Sequence, residues 1–164
     1  PARSCRQRRV AGETGVIRVG SALSSVLVSV AGNDSDEEAV KMACGLLNGN
    51  KGRLHILYII EVERTLPIDA EIPVATAKGD AVLRRMEEVA KPFKLDPQAE
   101  LLQSRQAGYA VVQEAVNKDV DAIVMAVPYQ TKYGEFSLGT TIPYVFEHAP
   151  CQVILWRDGR FTTR

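Results

Sequence analysis

From residue 24 onward the chain alternates short apolar runs with stretches whose apolar residues recur every three or four positions. Ser24-Ser25-Val26-Leu27-Val28-Ser29-Val30 is rich in β-branched residues, which predicts a buried strand. Gly32-Asn33-Asp34 breaks it with turn chemistry. Ser35-Asp36-Glu37-Glu38 has the spacing of a capping box, in which the Ser35 hydroxyl accepts from the amide three residues on and Glu38 reaches back. The acids also suit the positive end of the helix they open. Val40, Ala43, Cys44 and Leu47 make the inner face of that helix, and Asn48-Gly49-Asn50 stops it.

The same reading carries through the chain. His55–Ile60 is a second strand, followed by a polar loop with Pro67 and Pro73. A helix follows over 74–91, with Val82, Leu83, Met86, Val89 and Ala90 inward. Ala99–Gln103 is short and less apolar, which places it near a sheet edge. Tyr109–Val116 is a third helix, with Val112, Ala115 and Val116 inward, and Ala122–Ala126 is a fully apolar strand. After a glycine-containing loop, a helix from Thr141 to His148 tolerates Pro143 because first-turn amides have no intrahelical partner. Gln152–Trp156 is the last strand. Strict alternation of strand and helix, with central strands apolar on both faces, predicts a doubly wound, Rossmann-like α/β domain: a five-stranded parallel sheet covered on both faces. Such sheets take ligands beyond the carboxyl ends of their strands.

Composition adjusts this picture in three places. With 164 residues, the chain suits one domain, and with aromatics at 6% its core rests on Val, Ile, Leu and Ala. Residues 1–22 hold five arginines against one acid, Glu13, which leaves 15 basic and 19 acidic residues in the remainder. We therefore expect a basic arm over 1–22, a folded body over 23–158 and a tail over 159–164. A mildly acidic body argues against nucleic-acid binding there and leaves membrane contact to the arm. Cys5, Cys44 and Cys151 are odd in number and widely spaced, and the basic start is not followed promptly by an apolar stretch; both features point to a cytoplasmic chain.

The segment Ala126-Val127-Pro128-Tyr129-Gln130-Thr131-Lys132-Tyr133-Gly134-Glu135-Phe136-Ser137-Leu138-Gly139-Thr140-Thr141, with His148-Ala149-Pro150-Cys151 before the last strand, resembles the carboxyl-terminal signature of universal stress proteins. The resemblance covers about residues 24–158. It implies the strand order 3-2-1-4-5, with a switch point between the first and fourth strands, and a homodimer formed through Val153–Trp156. It also implies a regulatory domain that binds ATP or another adenine nucleotide at that crevice, with Mg²⁺ only alongside a nucleotide. By position the site residues are Ser29, Ala31, Gly32, Asn33, Ile59, Ala126, Tyr129, Lys132, Gly139, Thr140 and Thr141. Gly139 permits close approach of an anion, and the helix start with two threonine hydroxyls supplies donors. Lys132 would neutralise phosphate, and Tyr129 or Tyr133 would stack on a base. Two glycines usual in the family's loop are replaced by Ala126 and Tyr129, and the usual acid after the first strand by Ala31, which implies weaker ATP binding or a ligand with fewer phosphates.

Plainer readings stand beside these: Thr140 as a helix cap, Lys132 as a solvated side chain, Gly32-Asn33 as a turn and Ile59 as core. Glu61, Glu63, Asp69 and Glu71 form an acidic stretch in the second loop, suited either to hold Mg²⁺ beside a nucleotide or, the plainer reading, to stay solvated. Two histidines without Cys or carboxylate partners at ligand spacing give no metal motif. An enzyme reading is weaker, because Ala31-Gly32-Asn33-Asp34-Ser35 stands where ATP pyrophosphatases of related fold carry Ser-Gly-Gly-x-Asp-Ser. The alternative to ligand binding is a ligand-free dimerisation module, as the soluble part of a larger, transporter-linked assembly.

Overall fold

The structure is a computed structural model that describes residues 23–47, 51–128, 131–132 and 135–157. Along the chain run β1 (Ser25–Val30), α1 (Asp36–Leu47), β2 (Arg53–Glu61), α2 (Pro73–Ala90), β3 (Gln98–Ser104), α3 (Ala107–Asn117) and β4 (Ala122–Ala126). The two-residue strands β5 (Thr131–Lys132) and β6 (Glu135–Phe136) come next, then α4 (Thr141–His148) and β7 (Gln152–Trp156). Five strands pair in the order β3-β2-β1-β4-β7, all parallel. This is the doubly wound order 3-2-1-4-5 expected from the sequence. β5 and β6 form a separate antiparallel pair, too short for a sequence pattern to announce.

Alternation along each strand sorts the core into two layers. Val26, Val28, Ile56 and Ile60 face one side, where Val40, Leu47, Leu83 and Met86 of α1 and α2 cover them. Leu27, Leu57, Ile123 and Met125 face the other, under Val111, Val112 and Ala115 of α3 and Ile142 and Val145 of α4. Each fully buried aliphatic side chain contributes about 1.5–3 kcal/mol. Connections from β1 and β4 thus leave toward opposite faces, which opens the crevice between their carboxyl ends.

Three local readings change. Val116 is exposed instead of inward. The third helix starts at Ala107, two residues before its apolar pattern becomes visible. The capping box over Ser35–Glu38 is not what closes the start of α1: Glu38 pairs with Lys41 at 2.7 Å, and the carboxylate that turns back belongs to Asp36.

Candidate functional site

At the carboxyl end of β1 the chain turns through Ala31, Gly32 and Asn33, and all three backbone amides donate to Asp36 Oδ2, at 3.0, 2.7 and 2.8 Å. Gly32 makes the turn possible with a φ of 87°. Three converging amides form a concavity suited to an anion, and here the chain supplies its own. Asp36 is 1% exposed. Burial pushes its carboxyl above the ordinary value, against the pull of the three amides and of the Arg85 charge. Asp36 is a structural residue whose role the sequence reading missed, having placed it only within a capping box.

Across the switch point, the approach to α4 is left open. Gly139 has a φ of 69°, and a Cβ placed there would meet nothing within 4 Å among the described residues. Thr140 occupies the N-cap position, yet its side chain makes no capping bond. The reading of Thr140 as a simple cap therefore fails. The amide of Gly139 donates to Ser137 Oγ at 3.2 Å. Thr140 and Thr141 border a cavity of about 220 Å³ together with Glu61, Gln106, Tyr109 and Tyr144. Glu61 reaches it from the end of β2 and accepts from the Ala107 amide at 2.8 Å, so the sheet neighbour of the strand that leads into α3 caps that helix. Tyr144 stacks on His148 with ring centroids 4.1 Å apart, which fixes one wall.

The remaining expected residues distribute unevenly. Ser29 pairs with Leu57 and Met125 in register and is half-buried. Ile59 is half-buried against the α3–α4 layer, and Glu61 follows two positions on, on the same side of β2. Ala126, at the end of β4, packs against the opposite layer. Ala31, Gly32 and Asn33 are committed to Asp36, as above. Tyr129 and Tyr133 lie outside the described residues; Lys132 belongs to β5, with its side chain likewise outside them. The acidic stretch after β2 does not act as one cluster. Glu61 turns to α3, whereas Asp69 and Glu71 border a separate cavity of about 510 Å³ near Gln103. Among the described residues no group of three His, Cys, Asp or Glu could hold a metal ion. Nor is any helix among them long and apolar enough to cross a membrane.

Comparison with solved structures places this geometry among known folds. UspA from Lactobacillus plantarum superposes with a TM-score of 0.67 at 21% identity, covering 84% of this chain and 100% of that one. A universal stress protein from Archaeoglobus fulgidus in complex with dAMP matches at 0.66 and 14% identity, covering 82% and 98%. A family member from Arabidopsis thaliana with AMP bound matches at 0.61 and 15% identity, covering 83% and 92%. No curated protein matches the sequence. The family model described as "Universal stress protein family" matches residues 23–157, spanning all five strands of the main sheet. This chain belongs to the universal stress protein family.

Proposed function

We propose that the domain binds an adenine nucleotide carrying a single phosphate, as a regulatory ligand, with the phosphate at the start of α4. One observation carries this reading: Gly139-Thr140-Thr141 presents an uncapped helix N-terminus at the switch point, with a left-handed glycine and open space where a side chain would stand. First-turn amides and two hydroxyls are suited to a phosphate. The relatives bound to dAMP and AMP support the choice of ligand. Glu61, which borders the same cavity as Thr140 and Thr141, opposes the extra charge of a triphosphate. A thermal-shift panel of AMP, cAMP, ADP and ATP tests the proposal. AMP at 100 times its Kd stabilises the fold by about 2.7 kcal/mol, and ATP does so less at equal concentration. A flat panel through the millimolar range rejects it and favours the ligand-free module.

We further infer that two copies pair through β7. It lies at the sheet's edge, and Val153, Ile154, Leu155 and Trp156 are only half-buried. The Gln152 amide points inward to the Asp121 carbonyl at 3.2 Å, so alternation turns the Val153 and Leu155 amides outward. Apolar edges of this kind are usually covered, and a two-fold mate pairs the outward amides of both copies. Sedimentation velocity checks this: the wild type runs as a dimer and Val153→Pro, which removes an outward amide, as a monomer. A wild-type monomer at high micromolar concentration contradicts the pairing.

A further inference from the structure

At the opposite end of the strands, where β2 and β3 begin, a third cavity of about 260 Å³ is bordered mainly by cations. Lys51, Arg53 and Lys94 border it, with Asp96 as the one carboxylate and Gln98 as a further polar side chain. It stands apart from the Gly139 crevice by roughly the length of β2, about 26 Å at ~3.3 Å per residue.

The three cations behave unlike the paired ones on this surface. Lys41, Arg85, Lys91 and Lys118 pair with Glu38, Glu37, Glu88 and Glu100. Lys51, Arg53 and Lys94 make no ion pair among the described residues. Arg53 lies near enough to Asp121 to help hold that carboxyl low, while Asp121 Oδ2 accepts from Ser24 and Ser25. Three cations against the single carboxylate of Asp96 leave the hollow net positive, and its energy falls when an anion enters. Lys94 also holds a φ of 57°, where glycine is the unstrained choice.

We propose that this cavity is an anion site for a phosphate monoester or diphosphate group, distinct from the nucleotide crevice. Lys51 and Lys94 act as point charges, and the Arg53 guanidinium is the planar donor fork. The group arrives either on a small soluble phosphate or on a lipid headgroup, and the chemistry that holds it is the same.

The test uses the full chain, with circular dichroism to establish that each variant is folded. Isothermal titration with inorganic pyrophosphate should show binding that weakens with salt. The exposed pair Lys51→Gln with Lys94→Gln should weaken it at least roughly tenfold. Arg84→Gln, which removes an exposed cation of α2 that borders neither cavity, should leave it unchanged. Flotation with phosphatidylcholine vesicles, with and without phosphatidic acid, separates the sources. Flotation that requires phosphatidic acid and is lost in the double variant assigns a headgroup; pyrophosphate binding without flotation assigns a soluble ligand. Two results overturn the proposal: neither binding nor flotation through the millimolar range, or binding that survives the double substitution and so belongs to the arm's arginines.

Discussion

The loop after β1 and the loop before α4 meet at the same switch point, but their backbone groups are satisfied in opposite ways. After β1, three amides converge on Asp36, an acid from the same chain, and the turn is complete without a ligand. Before α4, Gly139 takes a left-handed conformation beside empty space, and the Thr140 side chain leaves the helix uncapped. One loop is structural, with its anion built in; the other leaves its helix start without a side-chain cap, and it is there that we propose an anion from outside. The difference shows that a shared topology does not make both sides of a crevice equally available to a ligand.

Removing the built-in anion is the strongest way to break this comparison. Asp36→Ala strips three charge-assisted bonds and should cost about 2 kcal/mol, which lowers Tm by roughly 4–8 °C in a chain of this size. Asp36→Asn keeps an oxygen where all three amides converge and should cost less than about 1 kcal/mol. Urea denaturation of both variants checks the order; equal losses would mean that charge, not the acceptor, holds the turn.

The Gly139 side should respond the other way, with small effects on the fold and larger ones on binding. Gly139→Asn retains a residue tolerant of left-handed backbone and should lower stability by roughly 1 kcal/mol or less. Its side chain fills the open space and should abolish the AMP-induced thermal shift. Thr140→Ala should change stability by less than about 0.5 kcal/mol, because no cap is lost, where a capping threonine would cost about 1. Its AMP affinity should fall several-fold, read by isothermal titration. A drop in Tm typical of a lost cap would show that the hydroxyl is structural after all.

The smallest effect is a pH dependence that separates Asp36 from Asp121. Burial holds the Asp36 carboxyl above its ordinary 3.8 in the folded state. The folded chain then retains a proton that the unfolded chain releases, so Asp36's contribution is full below 3.8 and declines as pH rises through the folded value. For Asp121, burial alone would raise the value, but the Ser24 hydroxyl and the Ser24 and Ser25 amides outweigh it and hold the carboxyl low. Its contribution is present above 3.8 and is lost as pH falls through the folded value. Stability relative to wild type should therefore improve with rising pH for Asp36→Asn and worsen for Asp121→Asn. Parallel denaturation curves at acid and neutral pH distinguish the two, and slopes of the same sign would refute the assignment.

The main sheet was legible because each of its strands is an apolar run separated from the next by a helix, and aliphatic periodicity alone determines that pattern. Gly139-Thr140-Thr141 was singled out by its resemblance to the family's loop, and the structure gives it a left-handed glycine before a helix start. Asp36 was misread for a physical reason. The spacing Ser35–Glu38 fits a capping box, but which acid turns back depends on the left-handed turn at Gly32. Glu61, Gln106, Tyr109 and Tyr144 are far apart in sequence, and only the packing of β2, α3 and α4 brings them to one cavity. The start of α3 was hidden for a related reason: its cap is Glu61, 46 positions away, and the N-cap position itself holds Gln106, not Ser, Thr, Asp or Asn.

The central claim, that the uncapped start of α4 receives the single phosphate of an adenine nucleotide, is tested most directly by titrating the wild type and Gly139→Asn with AMP under identical conditions. Saturable one-to-one binding by the wild type, lost in a variant whose unfolding curve stays within about 1 kcal/mol, is the predicted result. Equal AMP affinity in the two proteins, or none in the wild type through the millimolar range, would contradict it.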